Sequence, residues 1–230
     1  MRTSTKTEQT AIQAVARHFS ATLEEGSGSA DAYLTVAGKR IALVATAIES
    51  RVARRAKVTK PRLRFDRVAL GLVDRLRSAL CRSVPDGRTA IVTITAPIRL
   101  PSRTAIAMEE KIRKLLATRA APARLTGTIH GNEIQVHLLK GGTGRTARLI
   151  GFVHNPDSDP TILIDLARSL LARIGPGERA AGRRWLVIAS GDGPVTLETC
   201  RHVCSQLGVR TVFERTLVVL PGGQVATLSA

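Results

Sequence analysis

The sequence predicts a mixed α/β protein, and three observations predict it. Apolar residues recur at helical spacing in several segments, and short β-branched runs separate those segments. Gly, Pro and Asn clusters punctuate the boundaries. The order hairpin, helix, strand, helix, hairpin can be read twice, which predicts two topologically similar halves. The expected division is 1–140, holding a basic segment at 51–104, and 141–230, packed as one globular unit. Asp74-Arg-Leu-Arg-Ser78 echoes Asp165-Leu-Ala-Arg-Ser169 and suggests an internal repeat.

In the first half, Ala11, Ile12, Val15, Ala16, Phe19 and Leu23 form one face of a helix over 8–23. A hairpin follows at 32–48, turning at Ala37-Gly38-Lys39. A connector at 50–63 is dense in Arg and Lys. Phe65, Val68, Ala69, Leu72, Val73, Leu76, Ala79 and Leu80 predict a helix over 64–82, stopped by Pro85-Asp86-Gly87. Ala90–Thr95 reads as a strand. Ser102 is the expected N-cap of a helix over 103–118 with Glu109/Arg113 and Glu110/Lys114 pairs. A hairpin at 125–140 is expected to turn at Gly131-Asn132.

The second half predicts a strand at 147–153, a helix at 160–174 and a strand at 185–189. A helix then starts near Pro194 and carries Thr196, Cys200, Val203, Cys204 and Leu207 inward. A closing hairpin spans 211–228.

The chain has 35 Lys and Arg against 18 Asp and Glu, a net charge of +17. The excess is focused: 51–104 carries +11 and 105–150 carries +5, whereas 1–50 is neutral and 151–230 carries +1. A focused excess predicts a polyanionic partner, nucleic acid foremost. Arg64, Arg67, Arg75 and Arg82 share one helix flank, and the connector adds Arg51, Arg54, Arg55, Lys57, Lys60 and Arg62. Arg99, Ser102 and Arg103 at a strand–helix loop form a candidate anion site. Four Phe, one Trp and one Tyr are too few for recognition by base stacking, which favours backbone contacts.

Three cysteines exclude a disulfide scaffold and fit a reducing cytoplasm. No apolar run reaches membrane-spanning length, and no apolar signal-type segment follows the polar start. Arg exceeds Lys by 28 to 7, a bias typical of GC-rich bacterial genomes. His130, Glu133 and His137 lie on the polar face of a hairpin and read as a solvated surface. Cys200, Cys204 and Cys81 read as core residues. Gly141-Gly-Thr-Gly-Arg-Thr146 fails phosphate-loop spacing, so no cofactor is expected.

The stretch Asp31-Ala-Tyr-Leu-Thr-Val-Ala-Gly-Lys-Arg-Ile-Ala-Leu-Val-Ala-Thr46 resembles part of the PD-(D/E)XK, or restriction-endonuclease-like, family. The resemblance covers about residues 8–95. It implies that Asp31, with a helical Glu such as Glu24 or Glu25, holds a divalent metal, Mg²⁺, that activates water for phosphodiester cleavage. Ala30 stands where that family has Pro, and Val44-Ala45-Thr46 lacks the acid-x-Lys pair. Glu49-Ser50-Arg51 is the nearest substitute, and Arg cannot carry a proton at neutral pH. The leading expectation is therefore a cytoplasmic, non-catalytic nucleic-acid-binding protein. A nuclease using Asp31 and Glu49, and an oligomeric scaffold for an acidic protein partner, are the alternatives.

Overall fold

The computed structural model describes residues 4–48, 66–118, 123–141, 148–156, 160–174, 183–190 and 195–228. The elements run α1 (Lys6–His18), β1 (Thr22–Glu25), β2 (Ala32–Val36), β3 (Lys39–Ala47), α2 (Arg67–Leu80), β4 (Arg88–Thr95) and α3 (Pro101–Ala117). They continue with β5 (Ala123–Ile129), β6 (Asn132–Lys140), β7 (Leu149–His154), α4 (Thr161–Arg173), β8 (Arg183–Ala189), α5 (Leu197–Leu207), β9 (Arg215–Val219) and β10 (Val225–Thr227). The mixed α/β class predicted from periodicity is the class found.

The chain forms two compact units, divided differently from the expected break at 140/141. One unit comprises 1–57 with 165–230, and the other is the continuous insert 58–164. The cause is strand pairing across the insert: β3 lies parallel to β8, with Ile41 opposite Arg183 and Ala47 opposite Ala189. A parallel neighbour requires a long crossover, and the insert sits within that crossover.

In the first unit the sheet order is β1-β2-β3-β8-β9-β10. The edges are antiparallel, and the β3-β8-β9 centre is parallel. Helix α1 begins in a capping box: Thr5 accepts the Glu8 N–H and Glu8 accepts the Thr5 N–H. Its apolar face (Ala11, Ile12, Val15) packs on Leu34, Ile41, Leu43, Ala45, Trp185, Val187 and Leu217. The opposite sheet face, with Val44, Leu186, Ile188 and Val218, is buried too. That double burial gives the central strands their unbroken apolar character. The α1 helix stops at His18, short of the expected residue 23, and residues 22–25 form β1 against β2. Leu23 is therefore a half-exposed strand residue rather than part of the helical stripe.

In the inserted unit the order is β5-β6-β4-β7. Helices α2 and α3 lie over one face; α2 packs along β7 and α3 over β5 and β6. Their stripes (Ala69, Leu72, Val73, Leu76, Leu80; Met108, Ile112, Leu116) meet Val92, Ile94, Val136, Leu138 and Leu149. Val68, expected inward, is 53% exposed, because Ala69 and Leu72 define the centre of the buried arc. Helices α2 and α3 also pack against each other. Arg75 and Glu109 meet between them at 3.6 Å.

The recurrence of element order does not extend to pairing. In the first unit the hairpin's first strand, β9, lies parallel beside β8; in the insert the second strand, β6, lies antiparallel beside β4.

Gly151 on β7 marks a close approach of α2 to the sheet. A Cβ there would fall 2.4 Å from Val73 Cγ1 and 2.7 Å from Cγ2. Gly151→Ala is therefore expected to cost about 1–3 kcal/mol by overpacking. Adding Val73→Ala should return most of it, which chemical denaturation of the single and double variants would test.

Candidate functional site

Two places in the fold gather the chemistry: a buried charge cluster in the first unit and a basic surface on the insert.

The cluster is built from three elements. Glu8 is the N3 residue of α1, Asp31 precedes β2, and Arg173 ends α4. Their side chains are only 1%, 7% and 9% exposed. Arg173 Nη2 donates to Glu8 Oε1 at 2.9 Å and lies 3.5 Å from Asp31 Oδ2. Backbone donors complete the cradle. Glu8 accepts the N–H of Thr5 at 2.8 Å and of Ala47 at 3.3 Å. Asp31 accepts the N–H of Ala45 at 2.8 Å and the Ser4 hydroxyl at 3.1 Å. One guanidinium thus faces two carboxylates, with main-chain donors supplying the remaining compensation that burial demands. Arg173 Nε has no hydrogen-bond partner among the described residues.

The carboxylate that joins Asp31 is Glu8, not Glu24 or Glu25. Those two lie on exposed β1, where Glu24 pairs with Arg40 at 3.0 Å. The signal for Glu8 was present in the sequence. Thr5-x-x-Glu8 is a capping box, and Glu8 extends the Ala11/Ile12/Val15 stripe one turn toward the N-terminus. Arg173 likewise sits on the Leu166/Leu170 arc of its helix. Ala45 and Ala47 occupy the strand positions facing the carboxylates and offer only methyl groups and N–H donors. Glu49 and Arg51 lie outside the described residues.

On the insert, residues 58–164 hold 18 Lys and Arg against 8 Asp and Glu. Several carboxylates are already engaged. Asp66 caps α2 by accepting the Val68 and Ala69 N–H groups. Asp74 pairs with Arg77, and Asp86 with Arg148. Glu109 lies between Arg75 and Arg113, and Glu110 pairs with Lys114. Arg67, Arg82 and Arg103 are exposed and make no ion pair among the described residues. Arg75, expected beside them as a free cation, is tied to Glu109. Arg54, Arg55, Lys57, Lys60, Arg62 and Arg64 lie outside the described residues.

The loop before α3 is held from across the sheet. The hairpin turns at His130-Gly131, both at positive φ, rather than at Gly131-Asn132. This is the type I′ geometry that matches strand twist. The shift makes Asn132 the first residue of β6. Its buried amide accepts the Arg99 N–H at 2.7 Å and donates to the Arg99 carbonyl at 2.9 Å and the Thr104 hydroxyl at 3.0 Å. Arg99 is thereby fixed beside the turn, where a Cβ on Gly131 would lie 3.3 Å from Arg99 Nη1. The N-cap of α3 is Leu100, left-handed at φ 47°, with Pro101 at N1. Ser102, expected as the cap, lies instead in the exposed first turn with Arg103. Pro at N1 explains the shift, since it has no N–H to satisfy there.

The remaining expectations divide. His130 and Glu133 are exposed, but His137 is buried, so the three do not form one solvated face. Among the described residues no group of three His, Cys, Asp or Glu side chains could hold a metal. Cys200 and Cys204 are buried, and burial pushes both thiols up to about 12. They are neutral packing residues at physiological pH. Cys81, at the end of α2, is only half-buried. Among the described residues no helix is long and apolar enough to cross a membrane. Comparison of the chain with protein-family models, with curated proteins and with solved structures gives no match in any of the three.

Proposed function

We propose that this protein binds nucleic acid through its phosphate backbone, using the inserted unit, and does not cleave it. The supporting observation is the charge balance of that unit. Five of its six described carboxylates are engaged in a cap or an ion pair, whereas Arg67, Arg82 and Arg103 stand exposed without ion pairs among the described residues, with Arg99 anchored by Asn132 nearby in sequence. Such a surface attracts a polyanion and releases its counterions. The three free cysteines fit a reducing, cytoplasmic setting.

Fluorescence anisotropy with duplex DNA, single-stranded DNA and RNA across a salt series tests the proposal. Affinity is expected to fall steeply with salt. The Arg67→Glu/Arg82→Glu/Arg103→Glu variant should lower the log–log slope by roughly 2–3, since each phosphate neutralised on B-DNA adds about 0.9 to it. Salt-independent affinity, or no binding at low salt, rejects it. A stable oligomer that binds an acidic protein but no nucleic acid would support the scaffold reading instead.

A restriction-endonuclease-like nuclease is the second reading, favoured by the convergence of Glu8 with Asp31. Against it, the cation between those carboxylates is a guanidinium of the chain itself, and β3 supplies neither a third acid nor a lysine near its end. Mg²⁺- or Mn²⁺-dependent cleavage that disappears in Asp31→Ala would establish it. Intact nucleic acid after long incubation at high protein concentration would remove it.

A further inference from the structure

We propose that the chain forms a two-fold dimer through the free edge of the inserted sheet, strand β5 of one copy pairing antiparallel with β5 of a second copy. The two-residue turn at His130-Gly131 makes Ile129 and Asn132 a hydrogen-bonded pair, and bonded pairs then alternate through Gly127–Ile134 and Leu125–Val136. The N–H and C=O groups of Arg124, Thr126 and Thr128 therefore point away from β6, along the outer edge. All three residues are exposed, and among the described residues no backbone group outside the sheet bonds them. The other sheet edges differ. Strand β7 is buried along its whole length, β1 has four residues of which two are Glu, and β10 has three residues. Strand β5 has seven residues, one charge and no Pro, so it lacks the usual protection of an open edge.

The sequence of β5 is complementary to itself about Thr126. A two-fold axis there uses all three outward residues: Thr126 pairs with its own copy, and Arg124 pairs with Thr128 of the second copy. The close, non-bonded pairs are then Leu125 opposite Gly127 and Ala123 opposite Ile129, each formed twice, so a small residue meets a large one at every such position. A Cβ on Gly127 would meet nothing within 4 Å. A shallow hollow lies there, lined by Lys111, Leu125, Thr126, Gly127, Ile129 and Ile134. It receives Leu125 of the second copy.

The other sheet face adds charge complementarity. Glu133 is exposed and is the insert's one carboxylate without a cap or an ion pair among the described residues. Arg124 is exposed too, and its guanidinium rests on two neutral groups, Thr126 Oγ1 at 2.9 Å and Gln135 Oε1 at 3.3 Å. Glu133 stands beside Thr128 in the β5–β6 register. Pairing Arg124 with Thr128 of the second copy thus puts Arg124 in one row with Glu133 of that copy. Their Cα atoms are then two strand spacings apart, about 10 Å, with only the short threonine between. An extended Arg and Glu span that distance, and the symmetry makes the contact twice. Within one chain the two residues lie apart: Arg124 is opposite His137, four positions or about 13 Å along the strand from Glu133.

Sedimentation equilibrium of the full chain, freed of nucleic acid and at physiological salt, tests the dimer across a concentration series. That salt screens repulsion between the basic surfaces beyond about 8 Å. The mass is expected to rise with concentration to that of two chains. Thr126→Pro should weaken dimerisation roughly tenfold or more and keep its melting temperature by circular dichroism, since an edge strand tolerates Pro where the N–H faces outward. Arg124→Glu should weaken it by a similar factor, and Arg124→Glu/Glu133→Arg should restore it. That rescue requires contact between copies and decides the matter even if the Pro variant does not fold. A chain that stays monomeric at every concentration overturns the proposal. So does a dimer that Arg124→Glu leaves intact, or a double variant that dimerises no more tightly than Arg124→Glu. Nucleic acid is absent throughout, so failure here is distinguishable from failure of the backbone-binding proposal.

Discussion

Arg173→Ala is expected to lower the unfolding free energy by roughly 3–5 kcal/mol, the usual consequence of removing one partner from a buried ion pair. The loss would come less from the missing attraction than from two carboxylates left in a nearly dry site. Glu8 and Asp31 would keep their backbone donors but lose the only cation within 4 Å among the described residues. Arg173→Lys should recover only part of the loss, since a shorter point donor does not reproduce the planar fork. A Glu8→Gln/Arg173→Met double variant should sit closer to the wild type than the two single effects predict, because it removes charges from both sides. Urea midpoints for the single and double variants beside the wild type would measure this. Near-additive effects would show that the residues do not act as a unit.

Asn132→Ala is expected to cost about 2–4 kcal/mol, with each buried group left without a partner costing about 1–3. The side chain is 2% exposed and bonds both the N–H and the carbonyl of Arg99 while also reaching Thr104 and Ile129. Alanine would leave those groups unanswered and release the loop from the hairpin. The expected signature has two parts: a lower thermal midpoint and, under the proposed nucleic-acid binding, weaker affinity through Arg99. Asn132→Asp, of nearly equal shape, should also fail, because a carboxylate cannot donate to the Arg99 and Ile129 carbonyls. Thermal melts and anisotropy on both variants check the two parts separately.

Local features were readable from sequence because they rest on local periodicity. The stripe Met108, Ile112, Leu116 located α3, and the Glu109/Arg113 and Glu110/Lys114 spacings gave its ion pairs, found at 3.4 and 2.7 Å. The strand β1 escaped notice because Leu23 falls at helical spacing from Phe19, while the left-handed Ser20, at φ 48°, breaks the helix between them. The turn was displaced by one residue because Gly131 fits either two-residue turn. Only the pairing of Ile129 with Asn132 decides between them. The charge cluster was half legible. Asp31 stood out, but Glu8 and Arg173 are 165 positions apart in sequence, and no local pattern joins them. For the same reason the parallel pairing of β3 with β8, and hence the true boundaries of the two units, could not be read from periodicity.

That pairing also constrains the order in which the molecule can be made. As the chain leaves the ribosome, β3 is synthesised long before its parallel neighbour β8, and the last side of the charge cluster arrives only with Arg173. The insert, by contrast, is contiguous, and all the strands of its sheet are in place by His154. It can fold while the outer unit still lacks its sheet centre. Closing β3 against β8 brings together segments separated by an entire unit, the kind of non-local pairing that slows folding. A folded insert would replace a flexible loop of 107 residues (58–164) in that closure.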